Sequence, residues 1–179
     1  MKFRDIPQFT RMAPYNVDVS WDSLEHHLER YNEVHPAEGI GGLDLNPDFQ
    51  RGHVWTEDKQ IAYVEFILRG GKSSKDVYFN HPNWMGSFKG EMVLVDGKQR
   101  IEAVRQFMSS KIKAFGHYCN EYDDQPNMLD ASFSFHINNL KTRAEVLQWY
   151  LDLNTGGVVH TNEEIEKVKT LLRKEKKNA

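Results

Sequence analysis

Apolar residues along the chain recur with two periods, and the switches between them mark the elements. Trp21, Leu24, Leu28 and Tyr31 are spaced i, i+3, i+7 and i+10, one face of a helix. Asp22 with Glu25 has capping-box spacing at its start, and Pro36 with Gly39-Ile40-Gly41-Gly42 ends it. Residues 1–20, with Pro7 and Pro14, show little periodicity and read as irregular. Leu43-Asp44-Leu45 alternates like a short strand before Asn46-Pro47-Asp48 breaks the chain. A strong helix follows Trp55. Thr56 caps it, Glu57 and Asp58 occupy its first turn, and Ile61, Val64, Ile67 and Leu68 form its apolar stripe up to Gly70-Gly71.

Val77-Tyr78-Phe79 and Met92-Val93-Leu94-Val95 read as strands, the second apolar throughout, as in a strand covered on both faces. Helices are expected at about 98–109, with Ile101, Val104, Phe107 and Met108 inward, and near 141–152. Between them lie a polar loop over 116–130 and a strand at Phe133-Ser134-Phe135-His136-Ile137. A turn at Asn154-Thr155-Gly156-Gly157 leads to a last helix, where Thr161 and Glu164 have capping-box spacing. Strands and helices mixed in this way define an α+β or α/β fold.

Length narrows the picture further. A chain of 179 residues fits one domain, here with its core at about 40–172 and a helical extension at about 20–36. The net charge of -3 argues against a protein that coats DNA by bulk charge but leaves room for a local basic groove. One cysteine, Cys119, excludes an internal disulfide, and the start Met1 to Pro7 lacks the apolar run of a signal peptide. A cytoplasmic setting without a membrane span is the expectation.

Three segments carry candidate chemistry. In Val93-Leu94-Val95-Asp96-Gly97-Lys98-Gln99-Arg100 a buried strand turns into a helix. The first turn of a helix offers unpaired N–H groups and the positive end of its dipole, a combination that binds phosphate. Lys98 and Arg100 add cationic donors, Gln99 an orienting amide, and Asp96 a ligand for Mg²⁺ or a base. The competing reading makes Asp96 and Gln99 a capping pair that consumes those N–H groups. The second segment, Phe49-Gln50-Arg51-Gly52-His53-Val54-Trp55, is a loop with Arg51 and His53 in aromatic company, and Trp55 as a core anchor. The third is the Asn154 to Gly157 turn, either a helix end or a backbone clasp on a ligand. Cys119 has no base beside it in sequence and reads as inert, and the histidines form neither H-E-x-x-H nor a Cys/His pattern.

Taken in order, these segments resemble a bacterial and phage family with the signature D-G-x-Q-R, within the ParB/sulfiredoxin-like superfamily. The likeness spans about residues 40–172, with Asp96, Gly97, Gln99 and Arg100 on the signature, Lys98 at its variable position and Arg51 on an upstream arginine. That family includes the nucleotide-using subunit of restriction systems that attack modified DNA. The resemblance implies a compact α+β domain with a small mixed sheet and flanking helices. It also implies a nucleoside triphosphate, ATP or GTP, held with Mg²⁺ by Arg51, Gly97, Lys98, Arg100, Asn154 and Gly156. Asp96, Gln99 and Arg100 would be catalytic, and Asp96 would meet the metal. Residues 96–100 contain no cysteine, which disfavours sulfiredoxin chemistry.

Three functions compete. One is a nucleotide hydrolase or phosphate-transfer enzyme. Another is a nuclease or sensor of modified DNA, with Arg69, Lys72, Lys75, Arg105, Lys111 and Lys113 as a basic track. The last is a non-catalytic inhibitor or subunit that acts through a protein partner or a second copy of the chain.

Overall fold

The computed structural model describes residues 2–6, 15–50, 52, 55–124, 126, 130–155 and 162–178. Among them are six strands: β1 Tyr15–Ser20, β2 Val34–His35, β3 Ile40–Asp44, β4 Asp76–Asn80, β5 Gly90–Asp96 and β6 Ser132–Asn138. Five helices accompany them: α1 Leu24–Tyr31, α2 Glu57–Leu68, α3 Lys98–Met108, α4 Arg143–Thr155 and α5 Asn162–Asn178. The strands form one mixed sheet in the order β1-β6-β4-β5-β3-β2. β6 runs parallel to β4 and β3 parallel to β5, while β4 and β5 are antiparallel. This is the expected α+β class.

Alternation sorts the side chains to two cores. Val77 and Phe79 of β4, Met92 and Leu94 of β5, and Phe133, Phe135 and Ile137 of β6 face α1, α2 and α3. Val95 faces the other way, where Leu147 and Tyr150 of α4 and Val168 and Leu172 of α5 pack with Phe49. β5 is thus covered on both faces, as its unbroken apolar run implies.

Three expectations need correction. The segment before residue 21 is not all irregular: Tyr15–Ser20 is a strand paired antiparallel to β6 from Tyr15↔Ile137 to Ser20↔Ser132. Tyr15, Val17 and Val19 alternate with Asn16, Asp18 and Ser20, a two-residue period that is itself a strand signal, and β6 supplies the pairing partner. The first helix does not start at Trp21. Trp21–Ser23 is a single 3-10 turn, α1 begins at Leu24, and Asp22 accepts from the Ser20 hydroxyl in place of a capping box. Finally, α4 runs through Thr155, so Asn154 and Thr155 are helical and the expected turn does not begin at Asn154. Gly156, Gly157 and Thr161 lie outside the described residues.

Asn80 fastens the sheet to the second core. It is buried at the end of β4, donates Nδ2 to the Leu140 carbonyl at 3.1 Å and accepts from the Leu140 N–H at 2.8 Å. Replacing it strands two buried backbone groups at once. Asn80→Ala is expected to cost about 2–4 kcal/mol in a urea unfolding curve. A loss below about 1 kcal/mol would show that Leu140 finds other partners.

Candidate functional site

The strand-to-helix turn at the end of β5 is fixed by a steric constraint. Gly97 sits at φ 110°, ψ 0°, in the left-handed region. A Cβ there would lie 3.0 Å from both methyl carbons of Val77 and 3.2 Å from its Cα. Two independent penalties therefore select glycine. The turn also shifts the β4–β5 register between Tyr78 and Phe79, so that Tyr78 faces Asp96.

Gly97 is the N-cap residue of α3, and no side chain caps it. The capping pair expected of Asp96 and Gln99 does not form. Asp96 instead accepts from Arg100 Nη2 at 2.6 Å through Oδ2, an i,i+4 pair with the arginine side chain 19% exposed. Arg100 Nε is buried and has no hydrogen-bond partner among the described residues. An unmet donor on a charged group is costly, so this guanidinium is only half satisfied by its own fold.

Gln99 works on the neighbouring loop. Its Oε1 accepts from the Trp55 N–H at 3.1 Å, and its Nε2 donates to the Gly52 carbonyl at 3.1 Å. Gln50 donates to the Leu94 carbonyl of β5 at 2.6 Å. Three bonds thus tie Gln50, Gly52 and Trp55 to β5 and the first turn of α3. Trp55 packs on Tyr63 at 5.4 Å, as expected of an anchor. Arg51, His53 and Val54 themselves lie outside the described residues. Beside the loop is a cleft of about 320 Å³ that reaches Asn46, Gly52, Lys98, Glu102 and Arg105.

A second polar group was not legible in the sequence. His136 Nε2 lies 2.6 Å from Asp76 Oδ1, and Nδ1 lies 2.7 Å from Asn16 Oδ1. The ring stacks on Tyr78 at 4.7 Å. With both nitrogens taken, His136 ties β1 to β4 rather than offering a free base. The Tyr78 hydroxyl is pushed above its ordinary range by burial, then by the Asp76 and Asp96 carboxylates, with Arg100 opposing. Tyr63 is raised by burial as well, again with Arg100 lowering and Asp76 raising. Arg100 is therefore the cation that acts on both tyrosines and pairs with Asp96. The partners come from β1, α2, β4, β5, α3 and β6, and only pairing of those strands reveals them.

Asn154 Nδ2 donates back to the Tyr150 carbonyl at 2.7 Å within α4. Cys119 is half-buried near Met108, and burial raises its thiol pKa, in keeping with an inert residue. Several members of the expected basic track are engaged elsewhere. Lys72 pairs with Asp130 at 2.9 Å, Lys75 donates to the Asp130 carbonyl, and Arg105 grips Glu25 at 2.6 and 2.8 Å. Among the described residues no three His, Cys, Asp or Glu side chains gather as a metal site, and no helix is long and apolar enough to cross a membrane.

The class so defined is an α+β domain whose polar cluster sits where a middle strand of the sheet turns into a helix. Residues 35–174 match the family described as the GmrSD restriction endonuclease, N-terminal domain, and the chain belongs to that family. No curated protein and no solved structure matches it.

Gly97→Ala is expected to destabilise the chain by about 2–3 kcal/mol, since it meets both the left-handed φ and the Val77 contact. Denaturant unfolding reads this directly, and a change within about 0.5 kcal/mol would contradict it. Gln99→Ala should leave global stability nearly unchanged while making the chain more readily cut by protease at 50–55, where Gln99 fastens the loop. Equal cutting rates in the two proteins would show that the loop is held by other contacts.

Proposed function

We propose that this chain binds a nucleoside triphosphate, ATP or GTP, at the start of α3 and hydrolyses or transfers its phosphate with Mg²⁺ as part of restriction-type defence. The observation that carries the reading is the α3 N-terminus, which opens on Gly97 without a side-chain cap beside an arginine whose Nε–H is unmet. The first turn of a helix, the positive end of its dipole and a guanidinium occur together in this stretch, an arrangement suited to phosphate oxygens. The cleft that reaches Lys98 and Gly52 gives the triphosphate a place to lie. The D-G-x-Q-R resemblance, with its ParB/sulfiredoxin-like fold, supports the same ligand, and the family's name supports the setting.

Each residue then has a separate task. Arg100 holds the phosphates and balances the charge that develops on them. Lys98 adds a second cation from the same turn. Gln99 is a positioning residue that holds Gly52 and Trp55 beside the turn, and the resemblance adds Arg51 to the phosphate-binding set. Asp96 has a more exacting part. A carboxylate beside a triphosphate repels it unless a cation lies between them. Mg²⁺ is commonly held by one or two carboxylates together with substrate phosphates and water, so a single Asp96 fits a metal shared with the nucleotide. When bound there, Mg²⁺ would neutralise phosphate charge and polarise the phosphoryl oxygens. The Arg100 bond already places the Asp96 carboxylate at the turn.

A second reading rests on the printed name of the family, a restriction endonuclease: the same cations would then address a DNA backbone. DNA binding would weaken steeply as salt rises, whereas nucleotide binding by one turn and one arginine would respond far less.

Calorimetric titration of ATP and GTP, with and without Mg²⁺, separates these outcomes. Arg100→Ala is expected to weaken triphosphate binding by about 10- to 100-fold, the worth of a charge-assisted hydrogen bond. Unchanged affinity in that variant, with its fold intact, would sink the phosphate reading.

A further inference from the structure

The turn that joins β4 to β5 hangs on a buried histidine. His81, just past the end of β4, is 5% exposed. Its N–H donates to the Asn138 carbonyl of β6 at 2.9 Å, and its carbonyl accepts from the Trp84 N–H at 3.1 Å. Its ring packs on Trp84 and Phe88, with centroids 6.0 and 6.3 Å away. Ring Nδ1 accepts from the Asn83 N–H at 3.2 Å.

Asn83 in turn carries much of residues 82–89. Its carbonyl accepts from the Gly86 and Phe88 N–H groups at 3.1 and 3.3 Å, and its Nδ2 donates to the Lys89 carbonyl at 2.5 Å. The backbone would not choose this shape unaided. Met85 and Phe88 hold left-handed φ values of 64° and 55°, costly for residues with side chains. Trp84 packs on Tyr15 of β1 and Tyr31 of α1 at 5.6 and 5.7 Å. Contacts therefore hold the turn, and the His81 ring makes one of them at its first residues.

The Asn83 bond exists in one protonation state only. A ring nitrogen accepts through its lone pair, and in the imidazolium both nitrogens are donors. Protonation would set Nδ1–H against the Asn83 N–H, two donors face to face in a buried place. Burial holds the His81 pKa below its ordinary range, hydrogen bonds to the backbone at His81 and Phe88 oppose, and the Lys141 charge adds to burial. Lys141 Nζ donates to the Pro82 carbonyl, which fixes that cation at the turn. From the α1 and β2 side, Arg30, Tyr31, Glu33, His35 and Glu38 line a concavity that His81 also reaches. The Tyr31 hydroxyl is pushed up to about 12, chiefly by burial, and stays neutral. His35 is the other histidine there, so it serves as the control.

We propose that His81 is an acid-sensitive clasp: the neutral ring holds the 82–89 turn on the sheet, and a proton taken up at Nδ1 releases it. The sign follows from the protonation states. Above about 6.5, the ordinary histidine value, the ring is neutral whether the turn is clasped or released, and the clasp contributes in full. As pH falls through that value the released ring takes up its proton first. The contribution then shrinks until pH passes the lower pKa of the clasped ring. Release frees the strained Met85 and Phe88 and loosens Trp84 from Tyr15 and Tyr31, with β4 and β5 left paired.

Amide hydrogen exchange of the full chain, read by NMR at about pH 8 and about pH 5 and corrected for the intrinsic rate, tests the clasp. The Asn83 and Phe88 amides are expected to lose about tenfold in protection at the lower pH, the worth of one hydrogen bond. The Val77 and Phe79 amides of β4 should keep theirs, which separates release of the turn from general unfolding. His81→Gln offers an amide oxygen to the Asn83 N–H without titrating, so it should flatten the response. His35→Gln should leave it unchanged. If His81→Gln does not fold, the nitrogen-15 titration of the His81 ring in the unaltered chain replaces it. Its midpoint should lie below about 6.5 and coincide with the midpoint at the Asn83 amide. Protection at Asn83 that does not change with pH overturns the proposal. So does a response that persists in His81→Gln, one that His35→Gln abolishes, one shared equally by Val77 and Phe79, or ring and amide midpoints that differ.

Discussion

Everything at the functional end of this domain depends on the close approach of Gly97 to Val77. The contact leaves no room for a Cβ, and the left-handed φ of Gly97 turns the chain from β5 into α3 within one residue. Because glycine stands at the N-cap, the N-cap residue has no side chain with which to cap the helix. Because the turn is so tight, Asp96 and Arg100 fall one helical turn apart and pair with each other. A serine or aspartate at position 97 would have offered the helix an N-cap acceptor.

The electrostatics follow from this placement. Arg100 is mostly buried, paired with Asp96 and unmet at Nε, and its charge acts on Tyr63 and Tyr78. Both tyrosine hydroxyls are driven up by burial and stay neutral. The cluster therefore holds one largely buried guanidinium against a single, more exposed carboxylate.

The sequence made the strand-to-helix unit readable because its signals are local. An apolar run, Asp-Gly and a 3.6-residue period meet within a few residues, and α2 with its Thr56 cap is equally self-contained. What escaped depends on pairing at a distance. β1 alternates Tyr15, Val17 and Val19 over only six residues, and its register is set by β6 beside it. The Asn16–His136–Asp76 chain joins residues 120 and 60 positions apart. Asp96 and Gln99 have cap spacing, yet the left-handed glycine between them sends Asp96 to Arg100 and Gln99 to the 50–55 loop. Asn154 was read as a turn because Gly156-Gly157 follows it, while α4 continues through Thr155.

The central claim concerns the backbone of four residues, and amide chemical shifts report on it directly. Nitrogen-15-labelled protein is titrated with ATP or GTP and Mg²⁺, and the N–H resonances of Gly97, Lys98, Gln99 and Arg100 are followed. The account predicts saturable shifts centred on these amides, with Gly52 and the Arg100 side chain moving alongside. Titration with no movement at 97–100, or with movement confined to residues far from the start of α3, would contradict it.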